Sequence, residues 1–408
     1  RPLRKGDMVM VEPRAGQSVC ALMQLAVVEG AIVPRNAGTG RVLALVGGWS
    51  FQAAQFDRAT QALRQPGSSF KPFVYLQAME QGISPSQEFD DSPVSYGTWH
   101  PNNYEKDFWG PTSLHDALRE SRNLVTIRLA AHLGMNTVAD TAIKLGLVES
   151  MPHVLPAALG AVETTVLKEA GAYAALAAGG RRITPTLIDD VQDRDGHVIW
   201  RPTTGLSLAS AASLSNAAGS ATASVGVDAV HPDAPTGLTS AATPPTAASS
   251  AQPAVVVLTP DDLPALRDDR PVAASEQSAF QITTMLQDVI RRGTGVRAGE
   301  GIDVPIAGKT GTSQNFNDAW FAGYTPELVT VVWVGFDTPQ SLGRNETGGA
   351  IAGPLRNQAM KAALKDQAKP DLAAPDGGTL VSPETGRGRA QDASQAGQLP
   401  VGRTHLPS

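Results

Sequence analysis

Three short motifs, separated by long stretches of chain, contain residue types that together could carry out acyl transfer. The first supplies a hydroxyl and an amine, the second a polar pair, and the third a cationic segment that could bind a carboxylate. A serine nucleophile needs an adjacent base, and lysine can take that role in place of histidine. The motifs therefore predict an acyl transferase with an active-site serine. In chain order they are Ser68-Ser69-Phe70-Lys71, Ser121-Arg122-Asn123 and Lys309-Thr310-Gly311-Thr312.

Ser68 is the candidate nucleophile of the first motif, and Ser69 competes with it. Residues three apart on a helix share a face, whereas residues two apart point in nearly opposite directions. Ser68 has this spacing to Lys71, and Ser69 does not. Because proline is tolerated only in the first helical turn, Pro72 predicts a helix that begins near Ser68, where the helix dipole favours developing negative charge. A buried Lys71 near other cations would lose its proton readily and could act as the base.

The second motif lies between two helical patterns, where side chains can project into a cleft. Ser121 could pass a proton between Lys71 and a departing amine. Asn123 has both a donor and an acceptor, and could hold Lys71 and a substrate amide together. A second S-x-N match, at residues 313–315, directly follows the third motif and cannot supply a separate wall of the cleft. We therefore leave it out of the predicted site.

The third motif follows an apolar strand, residues 304–308, so its backbone could lie along an extended substrate as an added strand would. Lys309 and the hydroxyls of Thr310 and Thr312 could bind a terminal carboxylate. Gly311 would let the substrate approach without a Cβ in the way. The third motif is thus the predicted substrate-binding strand.

The backbone N–H groups of Ser68 and Thr312 are the predicted oxyanion hole. Stabilisation of the transition state by such a site is typically worth about 3 kcal/mol per donor.

Each motif also has a purely structural interpretation. An N-capping serine followed by a solvent-exposed lysine would explain the first, and a serine N-cap for the helix from Leu124 would explain the second. An exposed turn would explain the third, but the apolar strand before it argues against that.

The elements that must position these motifs alternate between strands and helices. Strand patterns lie near both ends and helical patterns between them, so hairpin connections predict an antiparallel sheet covered by helices on both faces, an α+β domain. Gly134, Gly146 and Gly179-Gly180 are the predicted helix ends. The predicted strands lie within 6–25 and over 30–33, 41–46, 304–312, 319–324 and 328–335, and the predicted helices are 73–81, 114–146, 167–178, 276–292 and 353–365.

Two segments lack the patterning of a packed core. From about Thr203 the composition changes to Ala, Ser, Thr, Gly and Pro, which cannot bury enough surface to offset the entropy of ordering. We predict that residues 203–262 form a disordered insertion rather than a domain boundary, because the third motif lies beyond them. Residues 366–408 are rich in Gly, Pro and Gln and are predicted to form a flexible tail.

Bulk composition leaves the function open but excludes some classes. The 408 residues could form one large or two moderate domains, and the net charge of −6 offers no general affinity for nucleic acid or anionic lipid. Cys20 is the single cysteine, and no Cys/His spacing suggests a metal, so neither an internal disulfide nor a cofactor is expected. The sequence has no signal peptide and no run of about 18 apolar residues. We expect a piece of a longer protein with any membrane anchor upstream of Arg1.

With its motifs in this order, the chain resembles the transpeptidase domain of class A (bifunctional) penicillin-binding proteins, the 1A type in particular. The S-x-x-K and K-T-G signatures are typical of these proteins and of β-lactamases. Three further segments, 57–61, 99–104 and 316–321, extend the resemblance over about residues 30–365 apart from the insertion. Residues 1–25 are similar to the end of an OB-like β domain, and residues 26–202 with 263–365 would form the transpeptidase domain.

The resemblance implies a β-lactamase/transpeptidase-like fold and a defined reaction. Ser68 would attack the D-Ala-D-Ala bond of a peptidoglycan stem peptide, and the amine of a neighbouring stem would resolve the acyl-enzyme into a cross-link. β-Lactams would trap the same serine. The resemblance also implies a bacterial periplasmic location, inner-membrane anchoring in the full-length protein, and possible cell-wall synthesis partner proteins. The glycosyltransferase domain of such proteins is not in this chain, so we expect no glycan polymerisation.

Three other functions would use part of the same set of residues. A D,D-carboxypeptidase would use the same residues with water as the acceptor, and the sequence does not decide between the two. A β-lactamase-like hydrolase needs a base for its deacylating water, and the Glu-x-x-x-Asn pattern of class A enzymes is absent between Asn123 and Lys309. A non-catalytic penicillin sensor would carry a signalling helix bundle or a DNA-binding module, and the sequence shows neither.

Overall fold

The computed structural model describes residues 4–14, 16, 19–23, 27–52, 54–203, 205–208, 266–365, 379–381, 384–385, 388–389 and 392–394. The chain divides into two compact units, residues 1–204 with 270–408, and residues 205–269. Within the described residues, no helix is both long enough and apolar enough to cross a bilayer.

The strands of the first unit are dominated by one sheet, and the remaining strands form two-stranded pairs. In chain order the strands are β1 (Met10–Pro13), β2 (Cys20–Met23), β3 (Glu29–Asn36), β4 (Glu88–Asp91), β5 (Gly110–Ser113), β6 (Val191–Gln192), β7 (Val198–Trp200), β8 (Leu206–Leu208), β9 (Leu266–Asp268), β10 (Ala307–Thr312), β11 (Asp318–Tyr324), β12 (Leu328–Gly335), β13 (Thr379–Val381), β14 (Glu384–Thr385), β15 (Gly388–Arg389) and β16 (Asp392–Ser394).

The helices lie mostly between β3 and β10 in sequence. They are α1 (Lys71–Glu80), α2 (Leu114–Arg119), α3 (Asn123–Leu133), α4 (Met135–Lys144), α5 (Val166–Ala177), α6 (Glu276–Arg292), α7 (Val296–Gly299) and α8 (Ala352–Ala363), with 3₁₀ turns at Gly67–Phe70, Leu155–Leu159 and Gln314–Phe316.

The central sheet has four antiparallel strands in the order β10-β11-β12-β3. Every residue of β11 and β12 is buried, and successive side chains point to opposite faces, so the sheet separates two apolar clusters. Val331 and Trp333 pack on the face covered by α5, whereas Val332 and Val334 pack on the face covered by α8. The predicted antiparallel sheet with helices on both faces is confirmed.

The predicted hairpin after Glu29 forms only in part. β3 is regular, but residues 41–46 make isolated bridges to it at Val42 and Val46 and form no strand. Pro34 explains the gap. The Pro34 carbonyl accepts from the Leu43 N–H at 3.0 Å. The Pro34 nitrogen, on the same side of β3, has no hydrogen, so the second hydrogen bond of this pair cannot form. The strand predicted over 304–312 likewise begins late, at Ala307, after Pro305.

The helical predictions hold with local corrections. The helix predicted to begin near Ser68 starts as the 3₁₀ turn and continues as α1 with Pro72 in its first turn. The long pattern over 114–146 is divided into α2, α3 and α4. Gly134 separates α3 from α4 with φ of 84°, and Gly146 follows α4 with φ of 76°. The divided pattern matters because the second motif occupies the break between α2 and α3.

Most of the two segments predicted to lack a packed core lies outside the described residues. In the second unit, β8 and β9 pair antiparallel, with Leu206 opposite Asp268, so a strand near the start of the predicted insertion pairs with one just after its end. In the predicted tail the described residues form two short pairs, β13 with β16 and β14 with β15. At the N-terminus β1 pairs with β2, which confirms strands there, whereas the OB-like assignment of residues 1–25 stays a prediction.

Phe73 tests how strongly α1 is held in the core. Its fully buried ring makes edge-to-face contacts with Phe70 and Tyr173 at centroid distances of 5.8 and 5.5 Å. We expect Phe73→Ala to lower the free energy of unfolding by about 3–5 kcal/mol. Phe51→Ala, at a ring 69% exposed, should change it by no more than about 0.5 kcal/mol in the same urea titration. Equal losses would contradict this packing.

Candidate active site

The first motif forms the 3₁₀ turn that leads into α1, and its two serines have different environments. Ser68 is partly exposed, whereas Ser69 is fully buried and donates its hydroxyl to the Pro66 carbonyl at 2.9 Å. The Ser69 carbonyl accepts from the Tyr173 hydroxyl at 2.7 Å. Side chains three apart eclipse each other in a 3₁₀ turn, which places Ser68 above Lys71. Ser69 is therefore an anchor of the turn, and Ser68 is the serine open to a ligand.

Lys71 is fully buried at the start of α1, and its hydrogen bonds go to the second motif. Its Nζ donates to the Ser121 carbonyl at 2.5 Å and to Asn123 Oδ1 at 2.7 Å, and it lies within hydrogen-bond distance of the Ser121 hydroxyl, at 3.2 Å. Burial, and after it the charge of Lys309, lower the pKa of Lys71 well below its usual value. The environment of this amine favours the neutral form that a base requires.

Ser121 lies between both lysines. Lys309 Nζ donates to its hydroxyl at 2.9 Å, so the side chains of α1 and β10 meet at one oxygen. Ser121 has φ of 59°, a left-handed conformation that is uncommon outside glycine and recurs at functional sites. The structure thus brings together four predicted site residues: Lys71, Ser121, Asn123 and Lys309.

The loop of the second motif is fixed by a polar network that the sequence did not predict. Arg122 is buried, pairs with Asp91 at 2.7 Å and with Asp107 at 2.7 Å, and lies 4.5 Å from the centre of the Trp109 ring. The Asn123 N–H donates to Asn103 Oδ1 at 2.9 Å. These partners hold Asn123 toward Lys71. The arginine between Ser121 and Asn123, a charged residue in a predicted cleft loop, was the available signal for such a network.

The third motif lies on β10, the edge strand of the sheet. Lys309 is fully buried, and burial lowers its pKa from 10.5 to about 7. The Thr312 hydroxyl accepts from the Gly348 N–H at 3.1 Å, which leaves its own hydrogen free to donate. The Thr310 hydroxyl pairs with that of Thr294 at 2.8 Å. Edge-strand backbone and the Thr312 hydroxyl are suited to bind an extended ligand that ends in a carboxylate.

Backbone packing joins the first motif to the third. A Cβ at Gly67, where φ is 57°, would lie 2.3 Å from the Thr312 carbonyl oxygen. A Cβ at Gly311 would lie 2.2 Å from the Pro66 carbonyl oxygen and 2.8 Å from Ser69 Oγ. Gly311 therefore has a role beyond the predicted approach of substrate, because it lets the turn that carries Ser68 pack directly on β10.

Aromatic side chains extend the site beyond the motifs. The rings of Tyr104 and Phe316 make an edge-to-face contact at 6.0 Å, and the Tyr104 hydroxyl donates to Asn345 at 3.4 Å. The Tyr104 loop contacts Asn123 through the Asn102 carbonyl, and Phe316 follows β10. Among the described residues, all the non-glycine residues with left-handed φ lie in these loops or in the second motif, namely Lys106, Ser121, Asn315, Phe316 and Asn345.

The second S-x-N match has a structural role in the turn between β10 and β11. The Ser313 hydroxyl donates to Asp318 at 2.7 Å and accepts from the Asp318 N–H at 2.9 Å. Asp318 in turn accepts from the indole of Trp333 at 2.9 Å. These bonds account for Ser313 within the turn, and they agree with leaving residues 313–315 out of the predicted site.

Most of the chain matches the sequence model of one protein family. Residues 30–212 and 265–361 match the penicillin binding protein transpeptidase domain. The chain belongs to this family. Two relatives named penicillin-binding protein 1A, from Rickettsia conorii and Pseudomonas aeruginosa, are each 35% identical to this transpeptidase chain over 393 and 397 residues. The alignments cover 95% and 94% of the chain but 44% and 46% of the relatives, so the chain spans less than half the length of these curated relatives.

Solved structures of penicillin-binding proteins share the fold. The crystal structure of penicillin-binding protein 1A from Haemophilus influenzae has a TM-score of 0.76 at 28% identity, over 98% of this chain and 57% of that chain. PonA1 from Mycobacterium tuberculosis in complex with penicillin V has a TM-score of 0.62 at 25% identity, over 89% of this chain and 83% of that chain. The predicted resemblance and fold class are confirmed.

The lowered pKa of Lys309 predicts how stability depends on pH. Between about 7 and 10.5 the buried amine is neutral while the unfolded chain still binds the proton, so stability rises with pH in that window. We expect Lys309→Met to reduce this rise by up to about 1.4 kcal/mol per pH unit, measured by urea denaturation between about pH 7 and about pH 9. Lys144→Met, at an exposed lysine of α4, should keep the wild-type slope. Identical slopes in all three proteins would contradict the burial argument.

Gly311 predicts a second measurable effect. A methyl group there must push away the backbone of Pro66, and with it the turn that carries Ser68. We expect Gly311→Ala to slow labelling by a fluorescent penicillin by about 100-fold, because small misplacements of a reacting group have effects of this size. Gly38→Ala, whose Cβ would meet only Asn36 at 3.6 Å, is the matched control and should label at the wild-type rate. Wild-type labelling of Gly311→Ala would show that the contact is not required.

Proposed function

We propose that this chain is the D,D-transpeptidase portion of a bifunctional penicillin-binding protein, and that it cross-links peptidoglycan stem peptides through an acyl-enzyme on Ser68. The observation that carries the proposal is the Ser121 hydroxyl, which lies within hydrogen-bond distance of Lys71 Nζ, at 3.2 Å, and Lys309 Nζ, at 2.9 Å. Two amines with lowered pKa, from distant parts of the chain, meet at this hydroxyl, and the partly exposed Ser68 precedes Lys71 by three residues. These are the functional groups that a serine acyl transferase with a lysine base requires.

Acylation begins when Ser68 Oγ attacks the carbonyl carbon of the penultimate D-alanine and neutral Lys71 takes the hydroxyl proton. The N–H groups of Ser68 and Thr312 stabilise the oxyanion of the tetrahedral intermediate. The C–N bond to the terminal D-alanine then breaks, and the proton passes from Lys71 through the Ser121 hydroxyl to the leaving amine. Lys309, with Thr310 and Thr312, binds the terminal carboxylate, and Asn123 binds a substrate amide.

Deacylation reverses these roles with a different amine. The amine of a neighbouring stem peptide attacks the ester carbon, its proton passes to Lys71, and the C–O bond to Ser68 breaks as the serine hydroxyl regains a proton. Water in place of this amine would give the D,D-carboxypeptidase product. With a β-lactam, Ser68 opens the ring amide, and the leaving nitrogen stays attached to the acyl group. The solved structure of PonA1 contains penicillin V, which supports a β-lactam as a ligand here.

A β-lactamase-like hydrolase would need a carboxylate base near the acyl-enzyme. The buried glutamate closest to the first motif is Glu169, which lies beside Ser69 rather than Ser68 and whose pKa is raised by burial to about 8. A carboxyl group in that state is a poor base at neutral pH. This observation favours the transferase.

Because the chain matches relatives named penicillin-binding protein 1A, we also propose that the full-length protein lies in the periplasm and is anchored in the inner membrane by a segment outside this sequence.

The nucleophile assignment is tested by serine replacement. Ser68→Ala should abolish labelling by a fluorescent penicillin, because no hydroxyl remains to form the ester. Ser69→Ala should still be labelled, since that hydroxyl is buried and bonded to Pro66. Intact-mass analysis after penicillin treatment, followed by peptide mapping, should place the adduct on Ser68. Equal labelling of the two variants, or an adduct on Ser69, would refute the assignment.

The transferase assignment needs a substrate test as well. A stem peptide that ends in D-Ala-D-Ala, incubated with a second peptide that carries a free amine, should yield D-alanine and a cross-linked product by mass spectrometry. Penicillin should block both products. Release of D-alanine without any cross-linked peptide would favour the carboxypeptidase instead.

A further inference from the structure

A buried carboxyl group on α5 lies near the turn that carries Ser68 and takes no part in the site described above. Glu169 in the first turn of α5 is fully buried, and within the part of the chain that the structure describes neither of its carboxyl oxygens has a hydrogen-bond partner. No cation forms an ion pair with it among those residues. An ionised carboxylate in such a place would be strongly disfavoured, so Glu169 is expected to be the neutral acid. The raised pKa, about 8, agrees with this.

Glu169 is one of two α5 side chains directed at the same residue of the first motif. Glu169 and Tyr173 are four residues apart and share a helix face. The Tyr173 hydroxyl donates to the Ser69 carbonyl at 2.7 Å. The Ser69 hydroxyl is near enough to Glu169 to lower the pKa of the carboxyl group, an effect that burial outweighs. Helix α5 therefore binds the Ser69 carbonyl through Tyr173 and places Glu169 near the Ser69 hydroxyl.

The hydrogen of the Ser69 hydroxyl already forms a hydrogen bond. It is donated to the Pro66 carbonyl at 2.9 Å, so toward Glu169 the hydroxyl oxygen can only accept. An ionised Glu169 has no hydrogen to donate, so its oxygens and the Ser69 oxygen would face each other as two acceptors without a bond. A protonated Glu169 has a hydrogen, and a small rotation of its side chain would complete a chain of hydrogen bonds from Glu169 through Ser69 to Pro66.

We propose that Glu169 is a positioning residue that, as the neutral carboxylic acid, donates a hydrogen bond to the Ser69 hydroxyl and thereby fixes the 3₁₀ turn that carries Ser68. The consequence for catalysis rests on the function proposed above, in which Ser68 is the nucleophile. Pro66 and Ser69 bracket Gly67 and Ser68, so fixing this pair fixes the direction of the attacking hydroxyl. Pro66 and Ser69 are also the groups that would meet a Cβ at Gly311.

The other ionisable groups near this chain of hydrogen bonds do not supply a counter-charge. Tyr173 is the nearest, and burial, Glu169 and Tyr324 together raise its pKa, so it stays neutral. Arg35 approaches α5 at Gly171 and forms no ion pair with Glu169. The other titratable groups on α5 and on the elements packed against it or the turn pair with Glu169 nowhere in the described chain. They are Lys168 on α5, Lys71, Tyr75 and Glu80 on α1, Glu29 and Arg35 on β3, Lys309 on β10, Asp318 and Tyr324 on β11, and Glu276, Asp288, Arg291 and Arg292 on α6.

Infrared difference spectroscopy tests the protonation state without relying on catalysis. The spectrum of the unliganded wild type minus that of Glu169→Gln, at about pH 6, should contain the carbonyl stretch of a protonated carboxylic acid, and the band should vanish as pH rises through about 8. Glu163→Gln, at an exposed glutamate just before α5, should give no such band. Absence of the band from the Glu169 difference spectrum would overturn the proposal.

Penicillin acylation kinetics test the positioning role. Glutamine keeps a donor for Ser69 at every pH, so Glu169→Gln should acylate at nearly the wild-type rate at about pH 6, whereas Glu169→Ala should be slower by about 10- to 100-fold. Above about pH 8 the ratio of the wild-type rate to the Glu169→Gln rate should fall by about tenfold per pH unit, as the wild type ionises. Lys71 and Lys309 titrate in both proteins, so their effects cancel in the ratio.

The two measurements separate failure of this inference from failure of the proposed function. A ratio that stays constant with pH, or a Glu169→Ala rate equal to that of the wild type, would overturn the positioning role. Thermal unfolding of Glu169→Ala shows whether a slow rate reflects loss of the fold, and in that case the pH profile of Glu169→Gln decides. If penicillin labelled a residue other than Ser68, the proposed function would fail while the infrared band would still report the state of Glu169.

Discussion

Two lysine side chains, both fully buried, meet at the hydroxyl of Ser121, and the rest of the site depends on this arrangement. Burial lowers the pKa of both amines, and the charge of Lys309 lowers that of Lys71 further. An exposed lysine at neutral pH is a charged ion, but a neutral lysine beside a serine is a base. The low pKa of Lys71 is therefore a property of packing, because α1, β10 and the loop between α2 and α3 must all exclude water from the same place.

The contacts that keep this place closed are made by backbone rather than by large side chains. The turn that carries Ser68 touches β10 where Gly67 meets Thr312 and where Gly311 meets Pro66. On its other side, a Cβ at Gly160 would lie 2.1 Å from the Gly67 carbonyl oxygen. A methyl group at Gly67 or Gly311 would push the turn away from β10, and one at Gly160 would displace the turn at Gly67. Close backbone approach thus holds the turn that carries Ser68 and strand β10 at a fixed distance.

Sequence patterns predicted the features that depend only on residues close together in the chain. The three-residue spacing of Ser68 and Lys71 fixes a shared face whatever surrounds it, and the helix over 276–292 has the bounds that its pattern gave. Other features depend on residues far apart in sequence. Asp91 precedes its partner Arg122 by 31 positions, and no pattern in the sequence joins them. The buried anchor role of Ser69 was also out of reach, because it exists only where α5 and β10 close around the turn.

Lys309 links carboxylate binding to the strength of the base under the proposed mechanism. Its positive charge is the second cause, after burial, of the low pKa of Lys71. A substrate carboxylate would favour the ammonium form of Lys309, and this charge keeps Lys71 neutral when the substrate is in place. The departing D-alanine carries that carboxylate away. Burial alone still disfavours a charged Lys71 at that stage, so the same amine is available to accept a proton from the incoming acceptor. One lysine can therefore serve both half-reactions, because the larger cause of its low pKa does not leave with the product.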